Sequence, residues 1–255
     1  MEKTRPIQQI MNQSDKFFWH GYVDFYERFF REREISKIAE VGVSLGLSIN
    51  WLLDRFPNAE IHGADIVDRL DCWPTDERFK FTQMDQGNIE QLKSYFKNDY
   101  FDMIIEDGSH QPEHQKLGLI HGLPALRPGG IYILEDVHTS HPERIKKSKR
   151  LFQKLVTPKG TSLSVLLGIQ HYKRLGIEVD KSKAELLSKN SIFTSDEVFS
   201  VAKHIKDVHF YRRTRLPERC IKCGSIDYDF STYRCVCGEK IFSDSDSMTF
   251  VIEKN

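Results

Sequence analysis

Three acidic side chains, Asp107, Glu135 and Asp136, follow the ends of two short apolar runs, Phe101 to Ile105 and Ile131 to Leu134, and His110 stands three residues past the first acid. Runs of this kind read as strands buried on both faces. In a doubly wound sheet, ligands bind outside the carboxyl ends of the strands. If the two strands are neighbours, the three carboxylates converge and repel one another until a cation neutralises them, and an all-oxygen set selects a hard ion such as Mg2+ or Mn2+. Such an ion stabilises an alkoxide, and a nearby imidazole can take the hydroxyl proton, which makes His110 the best-placed general base. His114, His138 and His141 are candidate substrate contacts, with structural or solvent-exposed readings equally open.

The second group of chemical interest is Cys220-x2-Cys223 and, after eleven residues, Cys235-x-Cys237, with Gly224 and Gly238 behind each pair. Four thiolates at this spacing fit tetrahedral Zn2+, with iron-sulfur ligation the lesser alternative. A closed set leaves no open coordination position, so the zinc is structural, stabilising a ribbon over 214–245 that is too small to fold alone. Glu218, Asp227, Asp229, Glu239, Asp244 and Asp246 offset Arg219, Lys222, Arg234 and Lys240, leaving a dimer contact or a lid over the substrate open. Cys72 reads as a bystander.

Between Ala39 and Ser48 a strand ends and a helix opens, with Glu40, Gly42, Gly46 and Ser48 as candidate cofactor contacts. Alone, such a turn suits dinucleotide enzymes equally well. Asp65, about twenty residues on at the end of the next strand, is placed to accept hydrogen bonds from ribose hydroxyls. Asp85 ends a third strand where it could meet an adenine amino group, and Met84 packs either on that ring or in the core. The turn has neither a G-x-G-x-x-G pyrophosphate cradle nor a P-loop lysine, which favours S-adenosylmethionine over NAD or ATP.

The elements that must position these groups alternate. Phe18, Tyr22, Phe25, Tyr26, Phe29 and Phe30 recur at helical spacing and predict one amphipathic helix over 15–34, capped by Ser14 or Asp15. Strands follow at 35–43, 59–66, 79–84, 101–105 and 131–134, with helices at 48–55, 88–96 and 114–123; Leu126 to Gly130 supplies a turn. Alternation of this kind implies a parallel sheet. Residues 142–193 read as a helical cap insert that opens with a basic stretch, Arg144 to Lys154. Thr194 and Glu197 have the form of a capping box, and strands at 208–211 and 248–252 flank the cysteine group.

With 37 basic and 37 acidic residues the chain has no global field to draw in a polyanion, so nucleic acid is disfavoured as a partner. No apolar run approaches bilayer length, and Met1 to Pro6 lack a secretory h-region, so a cytoplasmic location is expected. A homo-oligomer is compatible with all of this.

Ile104-Ile105-Glu106-Asp107-Gly108-Ser109-His110, Leu126-Arg127-Pro128-Gly129-Gly130 and Leu134-Glu135-Asp136 resemble the block of the metal-dependent O-methyltransferases that act on macrolide sugars and related polysaccharides. The likeness covers residues 14 to 141 and, more faintly, the final strand pair. It implies a seven-stranded, mostly parallel, Rossmann-like methyltransferase fold, with Mg2+ on Asp107, Glu135 and Asp136 and His110 as base. Ser14-Asp15-Lys16, His20-Gly21-Tyr22 and Tyr26-Glu27 resemble the family's N-terminal helix, which closes over the cofactor and implies roles there for Lys16 and Tyr22; Phe17 stands where the family usually has glycine. The expected organisation is an N-terminal helical segment over 1–34 and a methyltransferase domain over 35–255, acting on a small-molecule or glycan hydroxyl. The alternatives are an RNA or protein methyltransferase that uses the ribbon for recognition, and a cofactor-binding protein without turnover.

Overall fold

A computed structural model describes residues 12–255 except 32, 143, 145–158 and 244–245. The first six residues, the basic stretch from 145 onward and Asp244 lie outside the described residues.

The strands are β1 (Lys37–Val41), β2 (Glu60–Asp65), β3 (Phe79–Gln83), β4 (Phe101–Glu106), β5 (Leu126–Leu134), β6 (Ile205–Arg212), the two-residue β7 (Tyr228–Asp229) and β8 (Arg234–Cys235), and β9 (Met248–Lys254). Seven of them form one sheet in the order β3-β2-β1-β4-β5-β9-β6, parallel except for β9, which runs antiparallel to both neighbours. β7 and β8 pair with each other in the segment between β6 and β9.

Helices α1 (Asp15–Phe18), α2 (Val23–Phe30), α3 (Leu47–Arg55), α4 (Ile89–Tyr95), α5 (Pro112–Ala125), α6 (Ser162–Arg174), α7 (Lys181–Ser188) and α8 (Ser195–His204) flank the sheet, and a 3-10 turn spans Val137–Ser140. β1 and β4 are buried along nearly their whole length because both faces are covered. Tyr26, Phe30, Ile49 and Leu52 pack with Ile38, Ile105 and Ile133 on one face. Leu119, Leu123, Leu166, Ile169 and Val198 pack with Ile104, Leu134 and Ile252 on the other. The two layers hold the carboxyl ends of β1, β4 and β5 side by side.

Three local readings of the sequence change. The single helix over 15–34 is two, α1 and α2, broken at Trp19–Tyr22, where Gly21 takes φ +66. Aromatic spacing alone runs through this break, because both pieces bury the same kind of side chain. Leu126 to Gly130 joins β5, whose pairing with β4 shifts register between Phe101 and Met103. In the 142–193 insert, α6 belongs to the sheet-packing layer: Val165, Leu166 and Ile169 are buried in the main core.

Candidate active site

Asp107 extends the end of β4, and Glu135 and Asp136 extend β5, whose Leu134 pairs with Glu106. Successive side chains of a strand point to opposite faces. A left-handed backbone at Asp136 (φ 52) breaks that alternation, and Glu135 and Asp136 line the same cavity. His110 also sits at positive φ, 54, and its Nε2 lies 3.7 Å from both Asp107 Oδ1 and Asp136 Oδ2. Asp107, His110 and Asp136 offer donor atoms that all lie within 4.8 Å of one another.

Glu135 stands beside this trio, not within it, because a buried lysine intervenes. The Lys16 Nζ is 2.5 Å from Asp107 Oδ2, 2.7 Å from Glu135 Oε2 and 3.6 Å from Glu40 Oε1. The sequence placed Lys16 and Tyr22 with the cofactor; the structure puts both on the acids. Tyr22 donates its hydroxyl to Asp136 Oδ1 (2.8 Å) and to the Met248 carbonyl (3.1 Å).

The charges are unevenly satisfied. Burial pushes the Glu135 carboxyl well above the usual range, and Asp107 and Asp136 add to this against the pull of Lys16. Burial likewise raises Asp107, opposed by Lys16 and His110, and brings Glu40 up to about 7. Burial also works against the charged form of Asp136, yet His20, His138, His110 and the Tyr22 hydroxyl together hold its carboxyl below the ordinary range. Glu135 Oε1 and Glu40 Oε1 are buried with no hydrogen-bond partner. Orphaned acceptors beside crowded carboxylates suit a hard divalent cation.

The cluster opens into a cavity of about 230 Å3 lined by Asp15, His20, Ser48, Asp107, His110 and Asp136, among others. A second, of about 210 Å3, is lined by Asp65, Ile66, Met84, Gln86 and Ser109 and shares Gly42, Ser44, Asp107 and Gly108 with the first. Gly42 (φ +95) is where they meet: a Cβ there would fall 2.1 Å from the Asp107 carbonyl oxygen. Gly46, also left-handed, begins α3, and Ser48 donates to Glu40 Oε2 at 2.9 Å. Asp65 Oδ2 accepts the Val43 and Ser44 amides at 2.8 and 3.0 Å, bracing the glycine turn from the cavity wall. Asp85 does not line either cavity; its carboxylate accepts the Gly87 amide at 2.8 Å.

His20 and Gln86 were given no role from the sequence, and His138 was read there as a candidate substrate contact. His20 stacks on Tyr22 with ring centroids 4.8 Å apart and lies 3.7 Å from Asp136. Gln86 donates to Glu106 at 2.6 Å and accepts the Ser109 amide at 3.1 Å, fixing the loop that carries His110. His138 Nδ1 is buried without a hydrogen bond 3.5 Å from Asp136, and burial pulls this imidazole down to about 4. Signals were present only as the short segments His20-Gly21-Tyr22 and Gln83 to Gln86, which carry no spacing rule. The four cysteine sulfurs form a separate group, again within 4.8 Å of one another.

Residues 39–137, from β1 through the acids, match a family model described as a methyltransferase domain. Residues 39–137 are a methyltransferase domain. Among curated relatives, mycinamicin VI 2''-O-methyltransferase of Micromonospora griseorubida is 32% identical over 49% of this chain and 33% of its own length. Demethylmacrocin O-methyltransferase of Streptomyces fradiae is 30% identical over 48% of this chain and 33% of its own. The chain thus matches about a third of the length of these relatives. The structure of the MycE methyltransferase from the mycinamycin biosynthetic pathway, in complex with Mg and SAH, aligns with TM-score 0.58 at 21% identity, over 98% of this chain and 54% of the other. A second structure of it, with Mg, SAH and mycinamycin VI, aligns with TM-score 0.56 at 26% identity, over 81% and 50%. The seven-stranded sheet therefore has the Rossmann-like methyltransferase fold. Among the described residues no helix is long and apolar enough to cross a membrane.

Proposed function

We propose that the protein is an S-adenosylmethionine-dependent O-methyltransferase that methylates a sugar hydroxyl of a small glycoside or glycan with the help of a divalent ion. The observation that carries this reading is the meeting of Asp107, His110 and Asp136 at the mouth of a cavity continuous with the Gly42 turn. The relatives' printed activities are all O-methylation, and two of them name a rhamnosyl tetracenomycin, which points the same way.

The chain's own residues divide the work. Asp65, Ile66 and Met84 wall the cavity that suits a nucleoside, with Gly42 giving close backbone approach. S-adenosylmethionine bound there would supply the methyl group to the acceptor oxygen and leave as S-adenosylhomocysteine. A Mg2+ held by Asp107, Glu135 and Asp136 would favour the ionised form of the acceptor hydroxyl. His110 stands within reach of the same space and takes the proton. Lys16, His20 and Tyr22 hold the carboxylates in place from above.

The test uses labelled cofactor with separated small-molecule, polysaccharide, RNA and protein fractions, with Mg2+ or with EDTA. Label entering carbohydrate, abolished by EDTA, is the expected result. Label in RNA or protein would favour polymer methylation, and cofactor binding with no transfer to any fraction would favour a non-catalytic role.

A further inference from the structure

The cysteine group lies at the far end of a chain of contacts that leads to the acids. Cys220 Sγ is 3.7 Å from Cys237 Sγ and Cys223 Sγ is 3.4 Å from Cys235 Sγ. A disulfide brings its sulfurs to about 2.05 Å. Four sulfurs each about 2.3 Å from a central zinc stand about 3.8 Å apart. The observed spacing belongs to the second case.

Little else holds this segment together. Its own strands, β7 and β8, are two residues each, and between 214 and 243 only Pro217, Cys220, Cys235 and Ile241 are buried. A hairpin of that size is not stable alone in water. Three of those four pack against Phe18 and Trp19 in a small core separate from the two that cover the sheet.

The same surface binds the backbone of α1 and the break after it. The Glu218 amide donates to the Phe18 carbonyl at 2.8 Å. Arg213, buried, donates to the Trp19 carbonyl and to Ile241 O (2.9 Å), lies over the Trp19 ring at 5.0 Å, and pairs with Asp246 at 2.5 Å. Ser247, next to Asp246, bonds His20 Nδ1 at 3.0 Å. The residues so held, Phe18 to His20, are flanked by Lys16 and Tyr22, the two side chains that reach Glu135 and Asp136.

We propose that the four cysteines bind one zinc ion whose role is to clamp the 14–22 segment over the acidic cluster, making the ribbon a positioning device for Lys16, His20 and Tyr22. The zinc is remote from the acids and supplies no group to them. Its free energy of binding orders a segment that lacks a core of its own, and that order passes through Phe18, Trp19 and Arg213 to the strap. The inference does not depend on methyl transfer.

The experiment reads metal content and backbone protection in the full chain. Elemental analysis is expected to give one zinc per chain, retained in Asp107→Asn and Cys237→His and lost in Cys235→Ser and after treatment with an organomercurial. Zinc loss is expected to raise amide exchange across 14–22 by about tenfold or more while amides of β1 and β4 keep their protection. Arg213→Gln tests the link without touching a metal ligand: zinc stays, yet the 14–22 amides exchange faster. A chain purified without zinc, or with iron in its place, overturns the metal assignment. Unchanged protection of 14–22 after zinc removal, or in Arg213→Gln, overturns the clamp.

Discussion

Lys16 donates to Glu135 at 2.7 Å across 119 residues of sequence, with both side chains almost wholly buried. The same ammonium also reaches Asp107 and Glu40. Removing one partner of a buried ion pair costs about 3–5 kcal/mol, because the remaining charge is left uncompensated. Lys16→Met is therefore expected to lower the melting temperature in EDTA, and added Mg2+ should recover more of the loss than it adds to the unaltered protein. Melting curves with and without Mg2+ at neutral pH decide this; equal Mg2+ shifts in both proteins would show that lysine and ion do not share the site.

Two imidazoles compete for the role of base. His110 faces the cavity, whereas His138 is buried behind Asp136, and burial keeps it neutral at physiological pH. A positioned general base contributes roughly 10²–10⁴-fold. His110→Ala should lose activity on that scale while S-adenosylhomocysteine binding by calorimetry stays within about twofold, and His138→Ala should lose far less. The reverse ranking would move the proton-accepting role to His138.

The acids at 107, 135 and 136 were legible because strand ends in an apolar α/β pattern are few and carboxylates seldom crowd there without purpose. Lys16 was harder. On an amphipathic stretch a lysine reads as solvent-facing, and only the break at Trp19–Tyr22, with Gly21 left-handed, turns it inward toward residues far along the chain. The capping signals at Ser14 and Thr194 are short-range and both form in the structure. Asp85 shows the opposite limit: it stands two residues past the end of β3, where the local turn at Gly87 engages its carboxylate.

Glu106 adds a pH dependence of stability. It is buried, accepts from Gln86 and Tyr132, and burial raises its carboxyl to about 8 against the partner hydrogen bonds. The folded chain therefore keeps a proton that the unfolded chain, with an ordinary carboxyl near 4.5, has released. The stabilising contribution is complete below about pH 4.5 and declines as pH rises through about 8, by up to roughly 1.4 kcal/mol per pH unit. Glu106→Gln carries no such proton. Denaturation midpoints measured from pH 5 to 8 should fall less steeply for the variant than for the unaltered chain; parallel slopes would mean that Glu106 titrates normally.

Gly42 provides the sharpest steric test of the cofactor turn, since a side chain there meets two separate obstacles. The left-handed backbone, φ +95, disfavours any L-residue by about 1–2 kcal/mol. The added Cβ would also lie 2.1 Å from the backbone oxygen of Asp107, which cannot yield without moving the end of β4 and the acid it carries. Gly129 separates the two effects, because it too is left-handed, φ +77, yet nothing lies within 4 Å of its would-be Cβ. Gly129→Ala should cost only the backbone contribution, about 1–2 kcal/mol in denaturant titration, and leave S-adenosylhomocysteine affinity intact. Gly42→Ala should cost more and weaken that affinity by about tenfold or more, equivalent to about 1.4 kcal/mol. Equal losses of stability and equal affinities in the two variants would show that the turn at Gly42 neither abuts Asp107 nor touches the cofactor.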